Sequence, residues 1–328
     1  MAASVLQSSS PQLAATSPTT DRPFVVIQRN PHAGVGRRKR QLIELMRRLH
    51  ERGLKPRIFR QRERLRAWME NPEHRAQLRC LVAAGGDGTI GDLVTRYPDA
   101  PLAIFPMGTE NLFAKFLRIP RNGRELADLI IDGSTWRFDV GRIGERRFCV
   151  MAGVGLDAAI VHEAHARRRG HIRKWQYIPP IWHAWRRSMD EPRLRIVCDD
   201  GPLTLTLTGR SVFIQNQPAF ALGFRIADDA DGHDGRLNLR ICDWTSCWNL
   251  LRLAWWAFRG GWEHSPQVTV ATASSVRVEA DEPVAVQVDG DPCGFTPVRI
   301  DVVPSALEVF VPSSTIARLA SSAPERGT

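Results

Sequence analysis

"CLVAAGGDGTIGDL", Cys80 to Leu93, places five apolar or small residues directly before a glycine-rich turn with one aspartate and one threonine. The first part reads as a short strand buried on both faces. The second reads as a tight turn that opens a helix. In open α/β sheets, ligands bind beyond the carboxyl ends of the strands. Glycines at that place let backbone N–H groups come close to an anion, and a helix start adds its positive end. Asp87 is out of place beside a bare anion. It fits when a metal ion arrives with the phosphates, as in a magnesium nucleotide.

The neighbouring segments repeat this form. "FVVIQ" (24–28), "PRIF" (56–59) and "LAIF" (102–105) read as further strands. Between them lie a helix with Leu42, Ile43, Leu45, Met46 and Leu49 at helical spacing, a basic helix around 62–70, and "ELADLIID". This alternation predicts a parallel, doubly wound sheet. The turn-rich loops Asn30–Gly36, Gly85–Thr89 and Pro106–Asn111 then converge on one sheet edge. Thr89 and Thr109 offer hydroxyls for phosphate or metal. There is no GxxxxGK[ST], and "AGVGLD" (152–157) lacks the third glycine and the context of a dinucleotide fingerprint.

From about Trp136 the pattern changes to period two, in "WRFDVGR", "RLRIVC", "LTLTLT", "SVFIQ", "RLNLRIC" and "VAVQVD". That predicts antiparallel sheet with one buried face. The expected organisation is a leader over 1–22 without structure, an α/β nucleotide-binding domain over 23–135, a β-rich domain over 136–302, strands over 303–317 returning to the first domain, and an unstructured tail over 318–328.

The net charge of +10 admits nucleic acid, an anionic membrane surface or phosphorylated ligands as partners. The cysteines (80, 149, 198, 242, 247, 293) show no metal-ligand spacing, which suits a reduced, cytoplasmic setting. No apolar run reaches the ~20 residues of a bilayer span, and the N-terminus lacks the pattern of a signal peptide.

"NPHAG" (30–34), "GGDGT" (85–89), "PMGTEN" (106–111), "GVGLDA" (153–158), "DGHDGRLNL" (231–239) and "VDGDP" (288–292) together resemble, in order, the motif set of the diacylglycerol kinase catalytic-domain family. The resemblance spans about residues 24–312. It implies an α/β nucleotide-binding domain with a parallel sheet, of NAD kinase/diacylglycerol kinase-like fold, plus a mainly antiparallel β-sandwich-like domain. "LEVFVP" (307–312) would be the returning strand. The implied activity is transfer of the γ-phosphoryl group of ATP, with Mg2+, to a hydroxyl of a diacylglycerol-like or sphingoid lipid. Asn30, Gly85, Gly86, Asp87, Gly88, Thr89, Ile90, Gly91, Thr109 and Asn111 match nucleotide-contacting positions. Asp87 matches the aspartate that orients metal and phosphate. Asp291 stands where the family's catalytic base is usually glutamate, one methylene longer, and Asp289 is the neighbouring candidate. Leu112 stands where many relatives have aspartate. Asp157 matches a position near the lipid headgroup, with a structural cap or turn role as the equal alternative. Asp234, with the carbonyls of Asp231 and Arg236, matches a structural metal site, against a plain polar turn. A non-catalytic lipid- or nucleotide-binding regulator of the same fold and a NAD kinase are the alternatives.

Residues 164–195 hold nine Lys/Arg interleaved with Trp175, Tyr177, Trp182 and Trp185, and a second aromatic cluster runs from Trp244 to Trp262. This mix suits peripheral binding to an anionic membrane surface. Single-stranded nucleic acid would use the same residue types, but no nucleic-acid partner is expected. Trp248, Trp255 and Trp256 at helical spacing also read as core packing. "RRKR" (37–40) reads as a solvated helix start or as an aid to phosphate binding. Glu163 and the arginines after His165 suggest a solvated turn, so His162 and His165 receive no role. A homodimer is compatible with the sequence.

Overall fold

The computed structural model describes residues 22–30, 37–167, 192–201, 203–218, 230–244, 246–259 and 261–322, with 186 and 227 as single positions. Most of the "NPHAG" loop and most of the basic aromatic run 164–195 lie outside the described residues.

The first half alternates as the apolar runs require: β1 (Phe24–Arg29), α1 (Arg37–Glu51), β2 (Lys55–Phe59), α2 (Arg62–Met69), α3 (Pro72–Ala76), β3 (Leu78–Gly85), α4 (Asp87–Arg96), β4 (Leu102–Pro106), α5 (Leu112–Phe116) and α6 (Gly123–Asp132). β2, β1, β3 and β4 pair side by side in parallel. β3 is buried at every residue, which explains why its sequence has no alternation.

The second half supplies β5 (Thr135–Ile143), β6 (Arg146–Phe148), β7 (Met151–Val154), α7 (Leu156–Ala166), β8 (Leu194–Asp200), β9 (Leu203–Gly209), β10 (Ser211–Gln215), β11 (Leu237–Cys242), α8 (Cys247–Arg259), β12 (Val268–Ala273), β13 (Ser275–Glu279), β14 (Ala285–Val288), β15 (Asp291–Phe295), β16 (Val298–Phe310) and α9 (Ser313–Ser322). Six of these strands form an antiparallel sheet in the order β12-β11-β10-β7-β14-β15. The remainder extend the first sheet into ten strands, because β16 is long. Its far end lies parallel to β4 through Val309 and Leu102, and its near end pairs antiparallel with β13.

Among the described residues there are two cores. One joins the parallel strands to their helices. The other is filled by inward residues of both sheets, such as Val212, Ile214, Leu239, Val276 and Val286, which makes the second half a sandwich. The alternation expected of "LTLTLT" is present in β9, but Leu203 and Leu205 face solvent. β9 is the edge of its sheet, and Leu207 is its leucine that reaches the core. Residues 318–322, expected as part of the tail, are instead the last turns of α9. Leu319 is buried there and the Arg318 guanidinium donates to the Phe116 carbonyl at 2.6 Å. Two anchoring side chains in "ARLASS" are too sparse a pattern to signal a helix on their own.

Candidate active site

The carboxyl ends of β1, β3 and β4 lie side by side, and their loops are tied by backbone bonds. Asn30 N–H donates to the Ala84 carbonyl at 3.1 Å, and Met107 N–H to the Gly85 carbonyl at 2.7 Å. Gly86 and Gly108 touch backbone to backbone. A Cβ on Gly108 would lie 2.5 Å from the Gly86 Cα, so Gly108 admits no side chain at the crossing, and one on Gly86 would be tight at 3.2 Å.

Asn111 has φ 50° and is buried, and it closes its own loop. Its Oδ1 accepts from Gly108 N–H and its Nδ2 donates to the Gly108 carbonyl, both at 2.8 Å. From α1, the Arg38 guanidinium donates to the Met107 and Gly108 carbonyls. One arginine of "RRKR" therefore shapes the loop rather than standing free in solvent.

Asp87 is the first residue of α4. Its carboxylate accepts the N–H groups of Leu112 and Phe113 at 3.1 and 3.3 Å, which locks the glycine loop to the start of α5. Burial pushes its carboxyl above the usual range, against the pull of those two N–H donors. A nearby cation would offset that burial. Thr89, Ile90 and Gly91 sit deeper. The Thr89 hydroxyl occupies the space a side chain on Gly85 would need, Ile90 is in the core, and Gly91 faces the Arg147 carbonyl of β6. Thr109 is exposed on its loop.

The chain returns to this edge some 200 residues later. The Asp291 Oδ2 lies 3.0 Å from where a Cβ on Gly88 would be, so it takes the space that this glycine leaves open. Arg146 Nη2 stands 3.4 Å from Asp291 Oδ2, and His165 Nε2 stands 3.4 Å from Oδ1. Arg146 is itself held by the Pro292 carbonyl at 2.9 Å. His162 and His165, expected in a solvated turn, belong to α7. That helix forms because its apolar side packs on β14 and β15, with Ala158 and Ala164 buried. Arg146 and His165 are the site residues that sequence reasoning missed. Neither the charge of Arg146 nor the i, i+3 spacing of His162 and His165 gave a sign of which carboxylate they would meet.

Asp289 is placed differently. Its carboxylate accepts three backbone N–H groups, from Cys149, Val150 and Met151, at 2.9–3.0 Å. Burial pushes it up to about 6 despite those donors, and the charge of Asp87 adds to the rise. Its oxygens hold the start of β7 in place. Asp157 lies in the first turn of α7 and accepts from Gln287 Nε2 at 2.9 Å. Gln287 Oε1 in turn accepts from Gly290 N–H at 2.9 Å, linking α7 to the "VDGD" turn.

Asp231, Asp234 and Arg236 lie on a separate turn before β11. Asp231 Oδ1 pairs with His233 Nδ1 at 2.6 Å, and Asp234 Oδ1 accepts from Arg236 N–H at 2.9 Å. Among the described residues no group of three or more His, Cys, Asp or Glu side chains gathers as a metal cage. The turn hangs on fully buried Asp139 of β5, whose two oxygens accept from Gly235 and Ser305 N–H, each at 2.7 Å.

Comparison with known proteins agrees with this geometry. Residues 23–143 match the model of the diacylglycerol kinase catalytic domain, and residues 150–311 match the YegS C-terminal NAD kinase beta sandwich-like domain. A Mycobacterium tuberculosis protein named diacylglycerol kinase is 30% identical over 248 residues, covering 71% of this chain and 76% of its own. A Staphylococcus epidermidis protein of the same name is 28% identical over 248 residues, covering 71% and 74%. A crystal structure of a diacylglycerol kinase from Bacillus anthracis shares the fold with a TM-score of 0.68 at 19% identity, covering 90% of this chain and 99% of that one. The matched domain models and the named relatives thus define a lipid kinase class. The chain belongs to the diacylglycerol kinase catalytic-domain family.

Proposed function

We propose that the protein transfers the γ-phosphoryl group of ATP to a hydroxyl of a diacylglycerol-like or sphingoid lipid at an anionic membrane surface. The observation that carries this reading is the meeting of Asp291 with Gly88, which sets a carboxylate against the glycine loop.

The residues fit a magnesium nucleotide. The loops at Asn30, Gly85–Gly88 and Gly108 form a cradle without side chains at its closest crossing, and the start of α4 favours negative charge. Asp87 is the carboxylate placed to hold the cation, and its raised affinity for a proton reflects the same need for positive charge. The cation, when bound, would neutralise charge on the phosphate oxygens. Asp291 acts as the base, held from both sides by Arg146 and His165. The lipid hydroxyl gives its proton to Asp291 while its oxygen bonds to the γ-phosphorus. The bond from that phosphorus to the β–γ bridging oxygen breaks, and the nucleoside diphosphate leaves. Catalysis of this kind is positioning and charge neutralisation.

Labelled ATP with Mg2+ and a panel of diacylglycerol, sphingosine, ceramide and polyprenol acceptors tests the reading. One lipid is expected to be labelled, and Asp87→Asn is expected to lose at least about a hundredfold in rate. Nucleotide binding with no labelled lipid would make the protein a regulator, and labelling of NAD would make it a NAD kinase.

A further inference from the structure

α8 carries two of its tryptophans outward. Trp248 is 79% exposed, Leu251 50% and Trp255 49%, whereas Leu253 is buried. Trp256 turns the other way, with its ring 3.3 Å from where a Cβ on Gly261 would be and stacked on His264. The expectation that Trp248 and Trp255 pack in the core therefore fails. Leu253 of α8 lies in the core instead, and Trp244 and Trp262 of the cluster are buried.

At ~100° per residue, Leu251, Trp255, Trp248, Arg259 and Arg252 fall within an arc of about 100° on the helix. The arc is a stripe of two indoles and a leucine edged by two arginines. Arg259 lies over the Trp255 ring at 4.8 Å, and Arg252 is steered by Gln267 Oε1 at 3.2 Å. No acidic residue occurs between Cys247 and Arg259. Two exposed tryptophans at one helix face are costly in water unless something covers them. The helix is too short to span a bilayer, since no helix among the described residues is long and apolar enough to cross one.

We propose that this face of α8 seats the protein on an anionic lipid bilayer, with Trp248, Leu251 and Trp255 entering the headgroup–acyl boundary and Arg252 and Arg259 meeting lipid phosphates. Charge selects this occupant. An indole and arginine stripe without acids, on a chain of net charge +10, complements an anionic interface and suits the region where tryptophan and arginine partition together. The proposal rests on the lipid-kinase reading for its purpose, but its test does not depend on turnover.

The test is co-sedimentation of the full chain, without nucleotide, with vesicles of phosphatidylcholine alone or mixed with phosphatidylglycerol. The protein is expected to pellet with the anionic vesicles. Trp248→Ser/Trp255→Ser should weaken that binding about tenfold or more. Arg252→Gln/Arg259→Gln should narrow the preference for anionic over neutral vesicles. Both variants should keep the wild-type melting temperature and wild-type kinase rate on lipid dispersed in detergent micelles. If no lipid is phosphorylated but the vesicle results hold, the kinase reading fails and the docking face stands. Equal vesicle binding by wild type and the tryptophan variant would overturn the proposal. So would a concentration-dependent dimer that this variant abolishes while vesicle binding survives, which would make the face a contact between copies.

Discussion

At the scale of single residues, two aspartates two positions apart in "VDGD" do different work. Asp289 is saturated by three N–H donors and serves the backbone, whereas Asp291 presents its oxygens to Gly88, Arg146 and His165. The motif alone left both as candidates for the base, because hydrogen bonds to strands 140 residues away are invisible in it. The same holds for Arg38, an ordinary member of a basic run until it meets the carbonyls of Met107 and Gly108. A residue-scale prediction concerns His233. Burial opposes its charge, but the hydrogen bond and charge of Asp231 outweigh it, so the imidazole titrates above its usual 6.5. A base with a raised folded value stabilises the fold fully below the unfolded value and loses that contribution as pH rises through the folded one. In metal-free buffer, the stability gap between wild type and Asp231→Asn should be larger at about pH 5.5 than at about pH 9. Chemical denaturation at the two pH values checks this.

At the scale of elements, the strands were legible because burial leaves a simple signature: unbroken apolar runs for β1, β3 and β4, and alternation for β8 and β13, whereas β10 and β11, expected with one buried face, are buried at every residue. α8 was legible as a helix but not in its orientation. Aromatic residues lie on both of its sides, and periodicity cannot say which side meets the core. α7 was hidden by the charges around His165, and α9 by its sparse anchors. β16 shows how an element can depend on one distant side chain. It bulges between Val303 and Leu307, Ser305 takes φ 49°, and the Ser305 N–H is held by Asp139 of β5. Asp139→Ala leaves that donor and the Gly235 N–H, both part-buried, without their acceptor. The cost should be about 2–5 kcal/mol, and Asp139→Asn, which keeps one acceptor oxygen, should cost about half as much. Urea unfolding of the three proteins measures the difference.

At the scale of the whole molecule, the proposed function depends on a chain that leaves the parallel sheet near Trp136, builds a sandwich, and brings Asp291 back to the loop after β3. The loops after β3 and β4 were legible from residue types alone, since glycine, asparagine and aspartate declare tight turns and anion contacts. The return of Asp291 was not legible that way. It followed only from the likeness of six ordered motifs to a family, because no local pattern encodes a contact across 200 residues. The Asp291 carboxylate is set between Arg146 and His165, and Gly88 leaves it room to approach the glycine loop. The central claim is that Asp291 and the glycine loop form one catalytic site. It is tested most directly by the single-turnover rate of Asp291→Asn at saturating Mg-ATP, on the lipid that the acceptor panel identifies. The account predicts a fall of about 10²–10⁴-fold with nucleotide affinity unchanged. A rate within about threefold of wild type would contradict it.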